Sequence, residues 1–348
     1  MGERFNPDSL HLARQYTGIN QKDLAEAVGV TQPQISKWEK AVQEPQVDQL
    51  DRLSKVLGFP PSFFLKSARS YSPITPFHRK RQSLRVSAQE KAEAIGNLKL
   101  MHVSTLVKGI ELDVNVPNLD PSDYKGGAVE VAQVVRSAWR LPKGPVVNMT
   151  SLLEDHGIFV FFEDFGSAHL EGFTLIGDAT HPVVFSNSEY SSDATRLTLS
   201  HELGHIVMHQ IISPEAENEA WAFAAEFLMP QEQIYPHLQK ATSLKGFFEL
   251  KHYWKVSVAA LIRRSRDLGI VDAKRYQSLM IQMAPYRKKE PVQLPKEYPS
   301  LAEELFATYR KDLGYSMEEL AKALDITVEM LKDLYFANQG GPRLRLVK

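Results

Sequence analysis

The 348-residue chain contains no cysteine. That excludes disulfides, thiol nucleophiles and any zinc site built on sulfur, and it agrees with a reducing compartment. No apolar run approaches the ~18 residues of a membrane span. The opening residues MGERFNPDSL carry no apolar core of the kind a signal peptide has. A cytoplasmic protein with no membrane partner is the expectation. An excess of either charge is lacking too: 41 Lys and Arg stand against 42 Asp and Glu. No global field therefore draws the chain to nucleic acid or to lipid. The length is enough for two or three domains with real cores.

Against that background one stretch stands out. Residues 195–209 read TRLTLSHELGHIVMH and contain His201-Glu202-Leu203-Gly204-His205. Two histidines four apart lie one turn apart on the same face of a helix, so both imidazoles can reach one metal ion. Glu202 follows the first, where a general base can take a proton from metal-bound water. Leu197, Leu199, Leu203, Ile206 and Val207 make the rest of the run apolar, and no proline interrupts it. Gly204 costs the helix about 1 kcal/mol relative to alanine, which close approach of another backbone would justify. His209, one turn further on, reads as an ordinary core or surface histidine.

A catalytic zinc takes three protein ligands and leaves the fourth position to water. Residues 215–230, EAENEAWAFAAEFLMP, form a second helical run that ends at Pro230. Glu215, Glu217 and Glu219 are its candidate carboxylates. Glu217 shares a face with Ala220 and Ala224, whereas Glu219 leaves the helix about 200° away and reads as solvated. The phase alone leaves the choice open, because Phe223 on the Glu219 side can also be buried.

HELGHIVMH followed by ExEAxxFAAEFLMP closely resembles the ImmA/IrrE-type zinc metallopeptidases, which are gluzincin-like proteins. The resemblance implies Zn2+ held by His201, His205 and Glu217, with Glu202 as the catalytic base. It also implies an Asp or Asn where this chain has Trp221, a group that would support a ligand from behind.

Residues 8–65 form another unit. Gln21–Val28 reads as a helix with Leu24, Ala25 and Val28 inward. Gly29-Val30 is a turn, and Thr31 caps a second helix with Ile35 and Trp38 inward. Two short helices joined by a glycine turn are the helix-turn-helix pattern. The run Q-x-x-L-A-x-x-x-G-V-x-x-x-x-I-S-x-W-E resembles the XRE, or phage-repressor-like, DNA-binding domain. Gln32 and Lys37 are then the expected base readers. By resemblance Gln21, Gln34 and Ser36 would bind phosphate, and Pro33 would make an apolar contact. Residues 1–66 hold eight Lys/Arg and eight Asp/Glu. Weak DNA binding by a monomer is therefore expected, and a homodimer stays open.

The rest is organised around these two. Residues 66–144 read as a basic linker and helical connector. From Lys66 to Lys108 nine Lys/Arg stand against two Glu, and Arg79-Lys80-Arg81 could serve as a phosphate-contacting arm. Residues 145–236 read as the metallopeptidase core. Its three strand-like runs, Gly157–Glu163, Gly172–Gly177 and Pro182–Ser186, suggest a small antiparallel sheet. The segment His181–Asn187 is the expected edge for an extended peptide. Residues 237–348 read as a C-terminal helical region, with Arg263, Arg264 and Arg266 solvated and a worn helix-turn-helix at the end. The fold class expected is multidomain, mainly α with a small sheet (α+β). The function expected is an operator-binding regulator with a zinc peptidase that cleaves a protein partner such as a repressor. The rival is a non-proteolytic antitoxin or repressor whose peptidase-like unit binds a cognate toxin or senses a ligand.

Overall fold

The computed structural model describes residues 4–65, 86–166, 170–177, 181–209, 213–241, 243–286 and 289–336. In chain order the helices begin with α1 (Pro7–Thr17), α2 (Gln21–Val28), α3 (Gln32–Glu39), α4 (Val47–Leu57) and α5 (Val86–Leu106). α6 (Gly127–Ala138) and α7 (Met149–Glu154) lead into strands β1 (Phe159–Glu163), β2 (Gly172–Leu175) and β3 (Val183–Asn187). Then come α8 (Ser192–Met208), α9 (Ala216–Leu228), α10 (Gln231–Lys240), α11 (Leu244–Trp254), α12 (Val258–Asp267) and α13 (Ala273–Met283). α14 (Leu301–Lys311), α15 (Met317–Ala323) and α16 (Val328–Tyr335) complete the order. No helix among the described residues is long and apolar enough to cross a membrane.

The chain forms two compact units. One takes residues 1–71, 85–111 and 301–348; the other takes 72–84 and 112–300. The stretch expected as one C-terminal region, 237–348, is thus divided between them. The proposed arm, Arg79-Lys80-Arg81, lies outside the described residues.

In the first unit local signals set the helix ends. Asn20 caps α2 by accepting from the Asp23 N–H, and Gly29 ends it in the left-handed region at φ 72°. A capping box between Thr31 and Gln34 starts α3. Leu24, Ile35, Trp38, Leu53 and Phe59 are fully buried. α5 packs along α1 and buries Ala92, Leu98 and Val103 together with Asn97, Lys99 and His102. The C-terminal helices join this unit through polar contacts as well. The Tyr309 hydroxyl donates to the Leu106 carbonyl at 2.7 Å, and the Tyr335 hydroxyl lies 2.7 Å from His102 Nδ1.

In the second unit the sheet is mixed, not antiparallel as expected. The order is β1-β3-β2, with β1 parallel to β3 and β2 antiparallel to it. β1 and β2 therefore form no hairpin, and β3 returns between them. Paired on both sides, β3 has all five residues buried, as the interior strand of a covered sheet does. The expected edge at His181–Asn187 is thus the central strand, and β1 and β2 are the edges.

Helices α6, α8 and α9 share one apolar core with α10–α13. Two ion pairs pin the first turns of α8. Lys251 bonds Asp193 and Glu290 at 2.7 Å each, and Arg196 pairs with Glu297, which also accepts from the Met149 N–H. Arg264, expected in solvent, is buried against Glu226 of α9, which also accepts from Gln133 at 2.9 Å. A buried charge of this kind persists only when it is paired.

Candidate metal centre and nucleic-acid interface

α8 is buried along almost its whole length. His201 and His205 project from one side of it, with their Nε2 atoms 3.0 Å apart. α9 comes close at Gly204, where an added Cβ would meet Phe223 at 3.2 Å and the Ala220 Cα at 3.3 Å. The helical cost of that glycine is offset by the approach it permits. The approach carries Glu217 to the histidines: Oε1 stands 3.3 Å from His205 Nε2, and Oε2 stands 3.6 Å from His201 Nε2. One ligand atom from each of the three lies within 4.8 Å of the others.

The donor set fits zinc. Ligands about 2.0–2.1 Å from a tetrahedral zinc stand about 3.3 Å apart, and two imidazoles with one carboxylate leave a fourth position open. The observed separations of 3.0, 3.3 and 3.6 Å bracket that spacing.

Glu202 points to β2, where the buried Thr174 hydroxyl donates to its Oε2 at 2.6 Å. Burial pushes the Glu202 carboxyl above its ordinary range, and the charges of Glu217 and Glu171 add to the rise. His205 and the Thr174 hydroxyl pull the other way without cancelling it. Upward is the direction a general base needs to work near neutral pH.

Four further side chains surround the site. His209 caps α8 at its C-terminal end and is buried, with Nδ1 2.8 Å from His205 Nδ1 and Nε2 3.0 Å from Glu219 Oε2. Glu219, expected in solvent, is thereby engaged. Its signal was available in the spacing, since His209 follows His205 by the same four residues that separate His205 from His201. Thr174 gave no such sign, because it lies 28 residues from its partner. Trp221 lays its ring over His201, with centroids 4.0 Å apart and planes 31° apart.

In the first unit α3 presents Gln32, Pro33 and Lys37 as exposed side chains, with Gln21, Gln34 and Ser36 half-buried beside them. The Gln34 carbonyl accepts from the Thr31 N–H at 3.0 Å, so only its amide NH2 end is left for a phosphate. Gln32 donates to Gln21 at 2.7 Å, and Gln21 donates to Glu39 at 2.7 Å. Burial would raise the Glu39 carboxyl, but hydrogen bonds from His11, Arg14 and Gln21 overcome it and hold the pKa at about 2. Glu39 is thus an ionised anchor behind Gln21, and through Gln21 behind Gln32.

Residues 153–266 match the family model of the IrrE N-terminal-like domain, a peptidase family, and residues 10–64 match that of the helix-turn-helix. An uncharacterized HTH-type transcriptional regulator of Sinorhizobium medicae is 35% identical over 69 residues, 18% of this chain and 50% of that protein. Another, from Rickettsia prowazekii, is 29% identical over 99 residues, 26% of this chain and 74% of that protein. The chain thus spans about half the length of the first of these curated relatives.

Proposed function

We propose that this chain, with its helix-turn-helix and IrrE N-terminal-like domains, is a DNA-binding regulator whose second unit is a zinc-dependent peptidase. Its substrate would be a protein partner such as a repressor. The observation that carries the reading is the convergence of His201, His205 and Glu217 beside a buried Glu202.

These three residues would hold the metal. When bound, zinc would supply Lewis acidity, polarising a carbonyl and lowering the pKa of a water toward about 7. Glu202 would take the proton of the attacking water and later deliver it to the leaving amine. Thr174 holds Glu202 Oε2 and would leave Oε1 for the water. β2 carries Thr174 and is an edge of the sheet, so an extended peptide would pair with its outer side, antiparallel or parallel. On α3, Gln32 and Lys37 would read bases of a double-stranded operator, while Gln21, Gln34 and Ser36 would bind phosphates and Pro33 would touch a base edge.

Trp221 favours a second reading. A ring stacked on His201, where an acid or amide is expected, suits a site that keeps its ligands and has lost turnover. The chain would then be a repressor or antitoxin whose peptidase-like unit binds a toxin or senses a ligand. One experiment separates the two. Zinc-loaded wild type and Glu202→Gln are incubated with a denatured bacterial proteome, and new termini are counted by mass spectrometry. New termini with wild type alone support the peptidase. Equal counts, with zinc bound to both proteins, support the second reading.

A further inference from the structure

We propose that His209 and Glu219 are positioning residues for His205, holding it in the tautomer that turns its Nε2 lone pair toward the metal. This rests on the zinc reading above.

A neutral imidazole has one donor nitrogen and one acceptor nitrogen. The contact between His205 Nδ1 and His209 Nδ1, at 2.8 Å, needs one proton between the two atoms. The proton can belong to either ring, and Glu219 decides which. A carboxylate only accepts, and its Oε2 lies 3.0 Å from His209 Nε2. If His209 carried its proton on Nδ1, a bare nitrogen lone pair would face a carboxylate oxygen at that distance. Buried beside a second imidazole, His209 is favoured in its neutral form, so its single proton sits on Nε2 and is donated to Glu219. His209 Nδ1 is then the acceptor, and His205 donates from Nδ1. That leaves His205 Nε2 unprotonated, 3.3 Å from Glu217 Oε1 and 3.0 Å from His201 Nε2.

The placement follows from the two helices. His201 and His205 of α8 and His209 at its C-cap follow one another at intervals of four, and α9 supplies a carboxylate to each end of the row. Glu217 goes to the ligand pair, and Glu219 goes to the histidine behind. His209 is buried and Glu219 is 31% exposed at its side chain, so the chain of bonds runs from the interior to a partly solvated end.

The test is competition titration of the full-length protein with a zinc chelator. Wild type is compared with His201→Ala, His209→Leu, Glu219→Leu and Glu219→Gln. Glu219 is partly exposed in the first turn of α9, so its variants keep the test sound if His209→Leu does not fold. The leucine variants are expected to bind zinc about 10- to 100-fold more weakly. Glu219→Gln is expected to recover most of the loss, since its amide carbonyl still accepts from His209 Nε2–H. A role in packing alone would favour leucine over glutamine. Leucine variants that match wild type, or a glutamine variant no tighter than leucine, overturn the proposal. If wild type binds zinc and His201→Ala does not, such a result removes only the positioning role. If wild type binds no zinc, the metal centre falls, and this role falls with it.

Discussion

The two candidate sites hold their polar groups in opposite ways. At the start of α3 the side chains proposed to meet DNA rest on one another and on a buried carboxylate, Gln32 on Gln21 of α2 and Gln21 on Glu39. On that proposal the Gln32–Gln21 bond would be exchanged for bonds to a base and a phosphate. Between α8 and α9 two imidazole nitrogens and a carboxylate are crowded to 3.0–3.6 Å, an arrangement a cation would complete. The first site is built from separable contacts, so its losses should add up one by one. The second is a single unit, so one change should remove most of what it does.

Mutation puts that contrast at risk. The largest effect expected is at Glu202. Glu202→Gln should keep its zinc and lose cleavage by about 10²- to 10⁴-fold, the usual contribution of a general base. Unchanged cleavage by that variant, measured on a protein that wild type cuts, would remove Glu202 from the mechanism.

The anchor of the surface site should come next. The Glu39 carboxyl titrates near 2 in the folded unit against 4.5 ordinarily. Its pKa is depressed, so its stabilisation is complete above pH 4.5 and is lost as pH falls toward 2. The whole effect is on the order of 3 kcal/mol. His102 acts in the same direction over a higher window. Burial, with the charge of Lys99, holds it at about 3 against 6.5, so stability drains as pH falls below 6.5. Hydrogen exchange in α1–α4, followed from pH 7 to 2.5, should show both windows in wild type. Glu39→Gln should erase the lower window and keep the upper one. A lower window that persists in that variant would mean Glu39 is not the anchor.

The smallest effects should fall on the readers. Gln32→Ala and Lys37→Ala should each cost about 1–3 kcal/mol of discrimination between operator and unrelated DNA. The two losses should sum in the double variant, as binding titrations at fixed salt would measure. A double variant no worse than either single one would contradict the view of separable contacts.

Much of this was legible in the sequence where the signal is local. Gly29 and Thr31 mark the end of α2 and the start of α3, and the expected span Gln21–Val28 is that of α2. The four-residue spacing put His201 and His205 on one face, and the helical phase left Glu217 and Glu219 both open until the family resemblance pointed to Glu217. What stayed hidden depends on partners far along the chain. The apolar run of β3 is as compatible with an edge hairpin as with a central strand until β1 is seen to pair beside it. Arg264 looked solvated because Glu226, 38 residues earlier, could not be assigned to it. Residues 301–335 join the N-terminal unit through α5, a relation no local pattern encodes. Thr174 lies on a strand whose closeness to α8 only the fold reveals.

The most direct measurement is the metal content of purified wild type, His201→Ala and His205→Ala by elemental analysis. The account predicts about one zinc per chain in wild type and none in either variant. Wild type without zinc, or stoichiometric zinc in both variants, would contradict it.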